Sequence, residues 1–177
     1  FESTQFLLHD KSYTCSVESL IRLLFGESMQ YLERTCEIRK ATRLTASPWE
    51  VVPTKKRRMR TVKYRLPIHY PIGPKYTDIS ETQDELAFIP SQFYMLESQV
   101  YSGGVPYEKN FKCIVHYFIF KHNDGTTQLK VVGDVACEGL WAVTKAFVVK
   151  TSKSGQEDFW KNIATNVIVR CCVLWWW

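Results

Sequence analysis

A long series of strand-like segments, separated by turn signals, is the feature that most limits how this chain can fold. From residue 58 to residue 137 apolar and polar residues tend to alternate, as at Val62, Tyr64 and Leu66, which is typical of half-buried strands. Further strands are predicted at residues 79–88, 93–101, 111–121 and 128–137. The last two flank Asn123-Asp124-Gly125, a strong hairpin signal. Consecutive strands joined in this way predict an antiparallel sheet.

Helical patterns lie on both sides of these strands. A first strand at 6–15 leads to Ser16, the predicted N-cap of a helix that ends at Gly26. A short helix at 29–36 and a strand at 38–44 follow. After Gly139, apolar residues return at helical spacing, among them Leu140, Val143, Phe147 and Val148. This order predicts an α+β helix-grip fold, in which a curved antiparallel sheet of about six to seven strands surrounds a long C-terminal helix and encloses a hydrophobic cavity. Periodicity alone does not distinguish a cavity from a filled core.

Length and composition indicate one folded domain. The 177 residues are 45% hydrophobic and contain no Ser/Gly/Pro-rich linker, so residues 1–177 are expected to form one domain and a monomer. Six scattered cysteines and the lack of a signal-peptide pattern favour reduced thiols in a cytosolic setting. The apolar tail at 167–177 contains Arg170 and is shorter than the ~20 residues of a spanning helix. It is either the approach to a membrane anchor or an apolar surface of the last helix, and Trp175-Trp176-Trp177 fits both.

Residues typical of catalytic or metal sites do not cluster in the sequence. The four histidines are far apart, and neither metal-binding spacings nor nucleotide-binding or hydrolase motifs occur. The chain is therefore expected to be no enzyme and to hold no metal or cofactor. An enzyme that used the same cavity remains the rival interpretation, and His116 would be the first residue to test, although a hydrogen-bonded sheet histidine is the simpler interpretation.

The basic residues are concentrated in one segment. Eight of the 23 Lys and Arg lie between Glu50 and Asp78 with no acid among them, which leaves 15 basic against 18 acidic residues elsewhere. A local patch implies a local anionic partner, which is a phospholipid surface, a nucleic acid or an acidic protein. The residues predicted to bind an anionic phospholipid membrane are Lys55, Lys56, Arg57, Arg58, Arg60 and Lys75.

A loop rich in proline and glycine follows the basic run. Proline lacks the N–H that a strand needs, and the loop's apolar Ile68, Tyr70 and Ile72 have no evident core to join. Cations beside apolar tips suit a membrane interface, where each basic residue contributes roughly 1 kcal/mol. A nucleic-acid site would instead need aromatic platforms among its basic residues, so this less favoured alternative depends on Tyr64, Tyr70 and Tyr76.

Several short motifs together resemble one family. These are Val62-Lys63-Tyr64-Arg65-Leu66-Pro67 followed by Ile72-Gly73-Pro74-Lys75, then Ser47-Pro48-Trp49, Gly104-Val105-Pro106-Tyr107, Leu140-Trp141 and Glu157-Asp158-Phe159-Trp160. Their order and spacing resemble those of VASt domains, the StAR-like modules of the Aster and Lam sterol transporters. Two features depart from the family pattern, the dense basic run at Lys55 to Arg58 and the bulky Tyr70-Pro71 in the loop. The mobility of the loop and the ligand preference can therefore differ from those of the family.

The resemblance implies a helix-grip domain that encloses one sterol and moves it between membranes. It also implies a parent protein with a GRAM domain and a membrane anchor, at the cytosolic face of the endoplasmic reticulum at membrane contact sites. The lid over the cavity would be Pro67, Ile68, His69, Tyr70, Pro71, Ile72, Gly73, Pro74 and Lys75. A basic interaction module with a filled core, binding anionic lipid, nucleic acid or protein, is the alternative.

Inward faces assigned by period two, together with the helix start, predict the cavity wall. The predicted wall residues are Tyr64, Leu66, Tyr94, Leu96, Ser98, Phe118, Phe120, Val131, Gly133, Val135, Trp141, Thr144 and Phe147. A one-residue slip would invert the face of any strand. A buried sterol hydroxyl needs a polar partner, since leaving it unpaired costs roughly 1–3 kcal/mol, and Ser98 and Thr144 are the candidates.

Overall fold

The computed structural model describes residues 2–68 and 73–174. The elements are β1 (Glu2–Tyr13), α1 (Val17–Phe25), α2 (Gln30–Ile38), β2 (Thr42–Ala46), β3 (Glu50–Val52), β4 (Arg57–Pro67), β5 (Tyr76–Ile89), β6 (Phe93–Gly103), β7 (Phe111–Lys121), β8 (Thr127–Cys137), α3 (Ala142–Phe159) and α4 (Thr165–Leu174). A π-helical segment, Trp160–Ala164, joins α3 to α4. These three segments form one long C-terminal helix.

Within the described residues, every strand belongs to one antiparallel sheet. Its order is β1-β8-β7-β6-β5-β4-β2, and β3 pairs with β4 beside β2. Register shifts after Leu7 in β1 and after Glu85 in β5 mark bulges, which bend long strands and help the sheet to curve. The predicted helix-grip fold is confirmed. Eight strands replace the expected six to seven because β3, with three residues, is too short for a periodic signal.

The two N-terminal helices close one end of the curved sheet. Ser16 caps α1 as predicted, because its Oγ accepts a hydrogen bond from the Ser19 N–H at 3.1 Å. The helix ends at Gly26, where an added Cβ would lie only 2.4 Å from the Arg22 carbonyl oxygen. Leu20 and Leu24 are buried on the inner face of α1 and join the core formed with the sheet.

The C-terminal helix lies across β1 and β8. At Gly133 an added Cβ would stand 2.6 Å from Phe6 Cε2 and 2.8 Å from Gln156 Oε1, so the missing side chain allows helix and strand to approach closely. Further along, Val167 and Ile168 are buried in the core. This part of the predicted 167–177 tail therefore packs inward, whereas Trp175-Trp176-Trp177 lie outside the described residues.

The start of α3 differs from the predicted pattern. Val148 is buried, but Val143 is 84% exposed and Phe147 is 63% exposed. Their spacing is helical, yet both side chains remain largely exposed. In the part of the chain that the structure describes, none of the helices has the combination of length and apolarity required to span a bilayer.

Candidate functional site

A cavity of about 660 Å³ lies between the concave face of the sheet and the helices. Its apolar wall includes Leu24, Phe25, Tyr31 and Leu32 from α1 and α2, Leu66, Ile79, Val100 and Val115 from the sheet, and Val148 and Phe159 from α3. This volume is within the range of about 300–1,000 Å³ seen for small-molecule pockets. The site can therefore enclose one hydrophobic molecule.

Aromatic rings close the inner end of the cavity. The Tyr117 ring meets Phe25 edge-on at 5.0 Å and Trp160 at 5.7 Å between centroids. Trp160 is 2% exposed and begins the π-helical segment, where its carbonyl accepts hydrogen bonds from the Thr165 N–H and, at 2.7 Å, from the Thr165 hydroxyl. The wider turn changes which way the following residues face while Trp160 stays in the core. Burial raises the pKa of the Tyr117 phenol well above its usual value.

A cluster of hydrogen-bonded polar side chains interrupts the apolar wall. Glu81 Oε1 accepts hydrogen bonds from the Ser98 hydroxyl and from Gln83 Nε2, each at 2.7 Å. Gln83 Oε1 in turn accepts a hydrogen bond of 2.7 Å from Arg60 Nε. All but Arg60 line the cavity. A carboxylate offers about four acceptor positions, so Glu81 has capacity to accept a hydrogen bond from a ligand hydroxyl.

A second polar feature lies where α2 ends beside α3. The Arg39 guanidinium stands over the Phe159 ring at 4.9 Å and over the Tyr64 ring at 5.8 Å, and all three residues line the cavity. Burial raises the pKa of the Tyr64 phenol to about 12, despite the nearby Arg39, which lowers it. The Tyr64 hydroxyl also interacts with Arg39 through a side-chain hydrogen bond.

The cavity opens between two connections and the start of α3. Ile68, Gly73 and Pro74 border it on the β4–β5 side, Val105, Pro106 and Tyr107 on the β6–β7 side, and Phe147 on the helix. The base of the predicted lid is closed by a 2.9 Å hydrogen bond that the Ile68 N–H donates to the Lys75 carbonyl. Gly73 has φ of +116°, a conformation that glycine adopts most readily. The predicted lid residues His69, Tyr70, Pro71 and Ile72 lie outside the described residues.

The predicted wall residues occupy different places. Tyr64, Leu66, Ser98 and Phe147 border the cavity. Tyr94, Leu96 and Val131 are buried in the adjacent solid core, and Gly133 and Val135 lie beneath α3. Thr144 is half-buried, and Trp141 is 87% exposed. Phe118 and Phe120 are on the convex face, opposite to the prediction.

The error at β7 has a physical origin. Val115 and Ile119 are buried on the concave side and Tyr117 lines the cavity, so Phe118 and Phe120 must face the other way because strand side chains alternate. Both faces of this strand carry large apolar residues, so period two does not specify which face is buried.

The structure also revealed cavity residues that were not predicted. Glu81 and Gln83 share the inward face of β5 with buried Ile79, a relation that period two could have indicated. Arg39 has no comparable signal, since it follows the end of α2 and reaches the cavity only through tertiary packing.

The basic run at Lys55 to Arg58 does not lie beside the predicted lid. Lys55 and Arg57 contact the Asp84 carboxylate at 3.2 and 3.3 Å, and Arg58 contacts Glu85 at 2.6 Å. The run stands at the beginning of β4, whereas the lid follows the end of this 11-residue strand, roughly 30 Å away at about 3.3 Å per residue. The predicted association of these cations with the apolar loop is therefore corrected.

Arg60 is buried and stabilises the fold, although the sequence suggested a surface cation. It is 4% exposed, donates a hydrogen bond of 3.1 Å from Nη1 to the Gly26 carbonyl and lies over the Trp49 ring at 4.7 Å. Burial lowers the pKa of its guanidinium, while Glu81 acts in the opposite direction. A side chain held in this way cannot act as a membrane-docking cation.

His116, the first residue to test if the domain were an enzyme, also lies away from the cavity. His116 Nε2 is 3.1 Å from Glu97 Oε2 across adjacent strands, and its side chain shares the convex face with Phe118. Within residues 2–68 and 73–174, no group of three or more His, Cys, Asp or Glu is arranged to hold a metal ion.

An antiparallel sheet curved around one long helix, with an apolar cavity that opens at its loops, defines a helix-grip domain able to enclose a ligand. The fold is shared with two solved structures, the Mll3558 protein from Rhizobium loti at a TM-score of 0.51 and 11% identity, and Ara h 8.0201 at 0.50 and 16%. The alignments cover 93% and 95% of this chain and 96% and 99% of those chains.

The family model for the VAD1 Analog of StAR-related lipid transfer domain, VASt, matches residues 7–155. The chain belongs to the VASt family, as its motifs predicted. It is similar to Protein Aster-A of Mus musculus and of Homo sapiens, each 28% identical over 159 residues, and to Protein Aster-B of Mus musculus, 26% identical over 157 residues. The alignments cover 88–89% of this chain but only 21–22% of those relatives, so it spans about a fifth of their length.

Proposed function

We propose that this domain binds one sterol in its cavity and transfers it between membranes. The observation that carries the proposal is a largely apolar cavity with a hydrogen-bonded polar cluster at Glu81, in a chain of a lipid-transfer domain family. A sterol has the matching chemistry, because it is a rigid apolar body with a single hydroxyl group. No bond is made or broken in this function.

In this proposal the sterol hydroxyl binds at the polar cluster. It donates a hydrogen bond to the Glu81 carboxylate, whose position is held by Ser98 and Gln83. Because leaving a buried hydroxyl unpaired costs roughly 1–3 kcal/mol, the cluster favours a sterol over its parent hydrocarbon. The apolar rings and side chain of the ligand then occupy the remaining space, as burial of their surface contributes about 25 cal/mol per Å².

The loop between β4 and β5 is the proposed lid. Gly73 borders the opening, is exposed and has positive φ, and no atom stands within 4 Å of a Cβ built on it. Alanine would fit the space but strain the backbone, so Gly73→Ala should alter ligand exchange without affecting the core. Transfer between liposomes should slow while the urea midpoint stays near that of wild type; an unchanged transfer rate would count against the lid.

The parent protein is proposed to act at the cytosolic face of the endoplasmic reticulum, at contacts with a second membrane. Support comes from its membership of the VASt family and its similarity to the Aster proteins, of whose length it spans about a fifth. Fluorescence microscopy of the full-length protein with an endoplasmic reticulum marker tests this location, and a uniform distribution through the cytosol would contradict it.

Mass spectrometry of lipids retained by the purified domain tests the ligand. A sterol in the extract, and its loss in a variant with a filled cavity such as Val100→Trp, would support the carrier. Recovery of a phospholipid alone would exclude a sterol as the principal ligand. Failure to retain or transfer any lipid in the folded domain would favour the alternative of an interaction module.

A further inference from the structure

Three large apolar residues are exposed at the start of α3. Trp141 is 87% exposed, Val143 84% and Phe147 63%. Val143 and Phe147 are one helical turn apart on the same face, and Trp141 is the N-cap residue immediately before the helix. We call these three residues the helix-start face.

The residues at the start of α3 are not those that usually stabilise the start of a helix. The Trp141 side chain forms no capping hydrogen bond, and the first turn contains no acidic residue, although Ser, Thr, Asp and Asn are the residues that stabilise a helix start. Single exposed apolar residues are common, but large ones grouped beside the opening of a cavity are candidates for an interaction surface. We propose that the helix-start face docks this domain on a phospholipid bilayer, an inference that rests on the proposed lipid-carrier function.

The position of the helix-start face indicates a bilayer as its occupant. Phe147 both belongs to this face and lines the cavity, and Tyr107 at the opposite rim is 49% exposed. A bilayer in contact with this face supplies ligand directly at the opening, whereas a protein bound there would cover it. Trp and Tyr suit the membrane interface because each combines an apolar ring with a polar group.

The charges around this face are compatible with phospholipid. From Ala142 to Lys153 the helix carries three lysines and no acid. Lys145 pairs with Glu2, and Lys150 follows Phe147 on the same side of the helix, where a lysine can extend its ammonium group to headgroups while its alkyl stem contacts the apolar surface. Because few cations are involved, docking should depend mainly on apolar contact and only weakly on salt.

Vesicle flotation with the whole chain tests the docking surface. The variant Trp141→Ser/Val143→Ser removes exposed apolar area, leaves the cavity-lining Phe147 unchanged and places a favourable residue at the N-cap. We expect it to bind vesicles of phosphatidylcholine, with or without phosphatidylserine, at least about tenfold more weakly than wild type, with a correspondingly slower transfer rate. The matched control Val51→Ser/Ile89→Ser alters residues that are 66% and 51% exposed at the far end of the sheet and should bind as wild type does.

Retention of lipid by the two variants separates this inference from the proposed function. If Trp141→Ser/Val143→Ser keeps the bound lipid but loses vesicle binding, the docking surface is supported. Wild-type vesicle affinity in that variant, an equal loss in the control, or conversion of a wild-type dimer to a monomer on sedimentation would each overturn it. Absence of lipid from every preparation, with vesicle binding still dependent on Trp141, would refute the carrier function alone.

Discussion

Replacing Arg60 by methionine should destabilise the domain without affecting membrane binding. Methionine retains much of the side-chain volume but removes the donors that satisfy Gln83 Oε1 at 2.7 Å and the Gly26 carbonyl at 3.1 Å. Each acceptor left buried and unpaired costs about 1–3 kcal/mol, and loss of the contact with the Trp49 ring adds about 0.5–2 kcal/mol. Relief of the cost of burying the guanidinium opposes these terms.

The net expectation is a loss of about 2–4 kcal/mol in the free energy of unfolding. For a domain of this size such a loss lowers the Tm by roughly 5–15 °C, which thermal and urea denaturation followed by circular dichroism can measure. Arg58→Met is the matched control. Arg58 also stands over the Trp49 ring, at 5.5 Å, but its side chain is 46% exposed. Its removal should therefore cost less than that of Arg60, about 1–2 kcal/mol, mainly because the Glu85 carboxylate loses its partner.

Two results would refute this reasoning about Arg60. One is a destabilisation by Arg60→Met no larger than that by Arg58→Met. The other is a fall in vesicle binding with unchanged stability, because Arg60 would then act as the membrane-binding cation that the sequence suggested, despite being 4% exposed.

Three further perturbations follow from the packing and the polar cluster. Gly133→Ala should lower the free energy of unfolding by about 1–3 kcal/mol through overpacking, since its Cβ would stand 2.6 Å from Phe6 Cε2; an unchanged urea midpoint would contradict this. Glu81→Gln should weaken sterol binding by roughly tenfold or more, because a charge-assisted hydrogen bond is lost. A fluorescence competition assay should show no comparable effect on binding of the parent hydrocarbon. An equal effect on both ligands would argue against a hydroxyl site at Glu81. Burial lowers the pKa of His9 from 6.5 to about 4, so the unfolded chain takes up a proton at a higher pH than the folded chain does. The free energy of unfolding should therefore fall by up to about 3 kcal/mol as the pH decreases from about 6.5 to 4. His9→Phe should remove this part of the pH dependence, and an unaltered stability profile in that variant would show that other groups cause it.

The sequence predicted the architecture because local patterns and long-range pairing agree in most of the chain. The hairpin signal at Asn123-Asp124-Gly125 connects β7 to β8 as expected, and the faces predicted for β4, β6 and β8 turn inward. Whether an inward residue lines space or solid core could not be predicted, since that depends on where the helix lies. Val131 and Ser98 are both buried, yet only Ser98 borders the cavity.

The cations of the basic run are close together in the sequence, but in the folded domain acidic residues of the neighbouring strand lie beside them. In an antiparallel hairpin, residues equally distant from the loop lie opposite each other. Pro67 faces Tyr76 across the predicted loop, and counting back along both strands brings Met59 opposite Asp84 and Arg58 close to Glu85. The register alone would therefore have indicated that acids of β5 neutralise the cations of β4.

Residues of the predicted docking surface and of the predicted apolar helix face exchanged roles, because neither charge nor helical spacing along the chain specifies tertiary packing. Helical spacing placed Val143, Phe147 and Val148 in one apolar pattern, but the pattern does not say which of them meets the sheet, and α3 buries Val148 while it leaves Val143 and Phe147 largely exposed. Conversely, Arg60 reads as a surface cation, but its strand position places it against Gly26 and Trp49. In the proposed carrier, which opens at one end, a membrane would reach the outer residues near the opening, and the proposed docking surface therefore includes Trp141 rather than the lysines and arginines at the other end of β4.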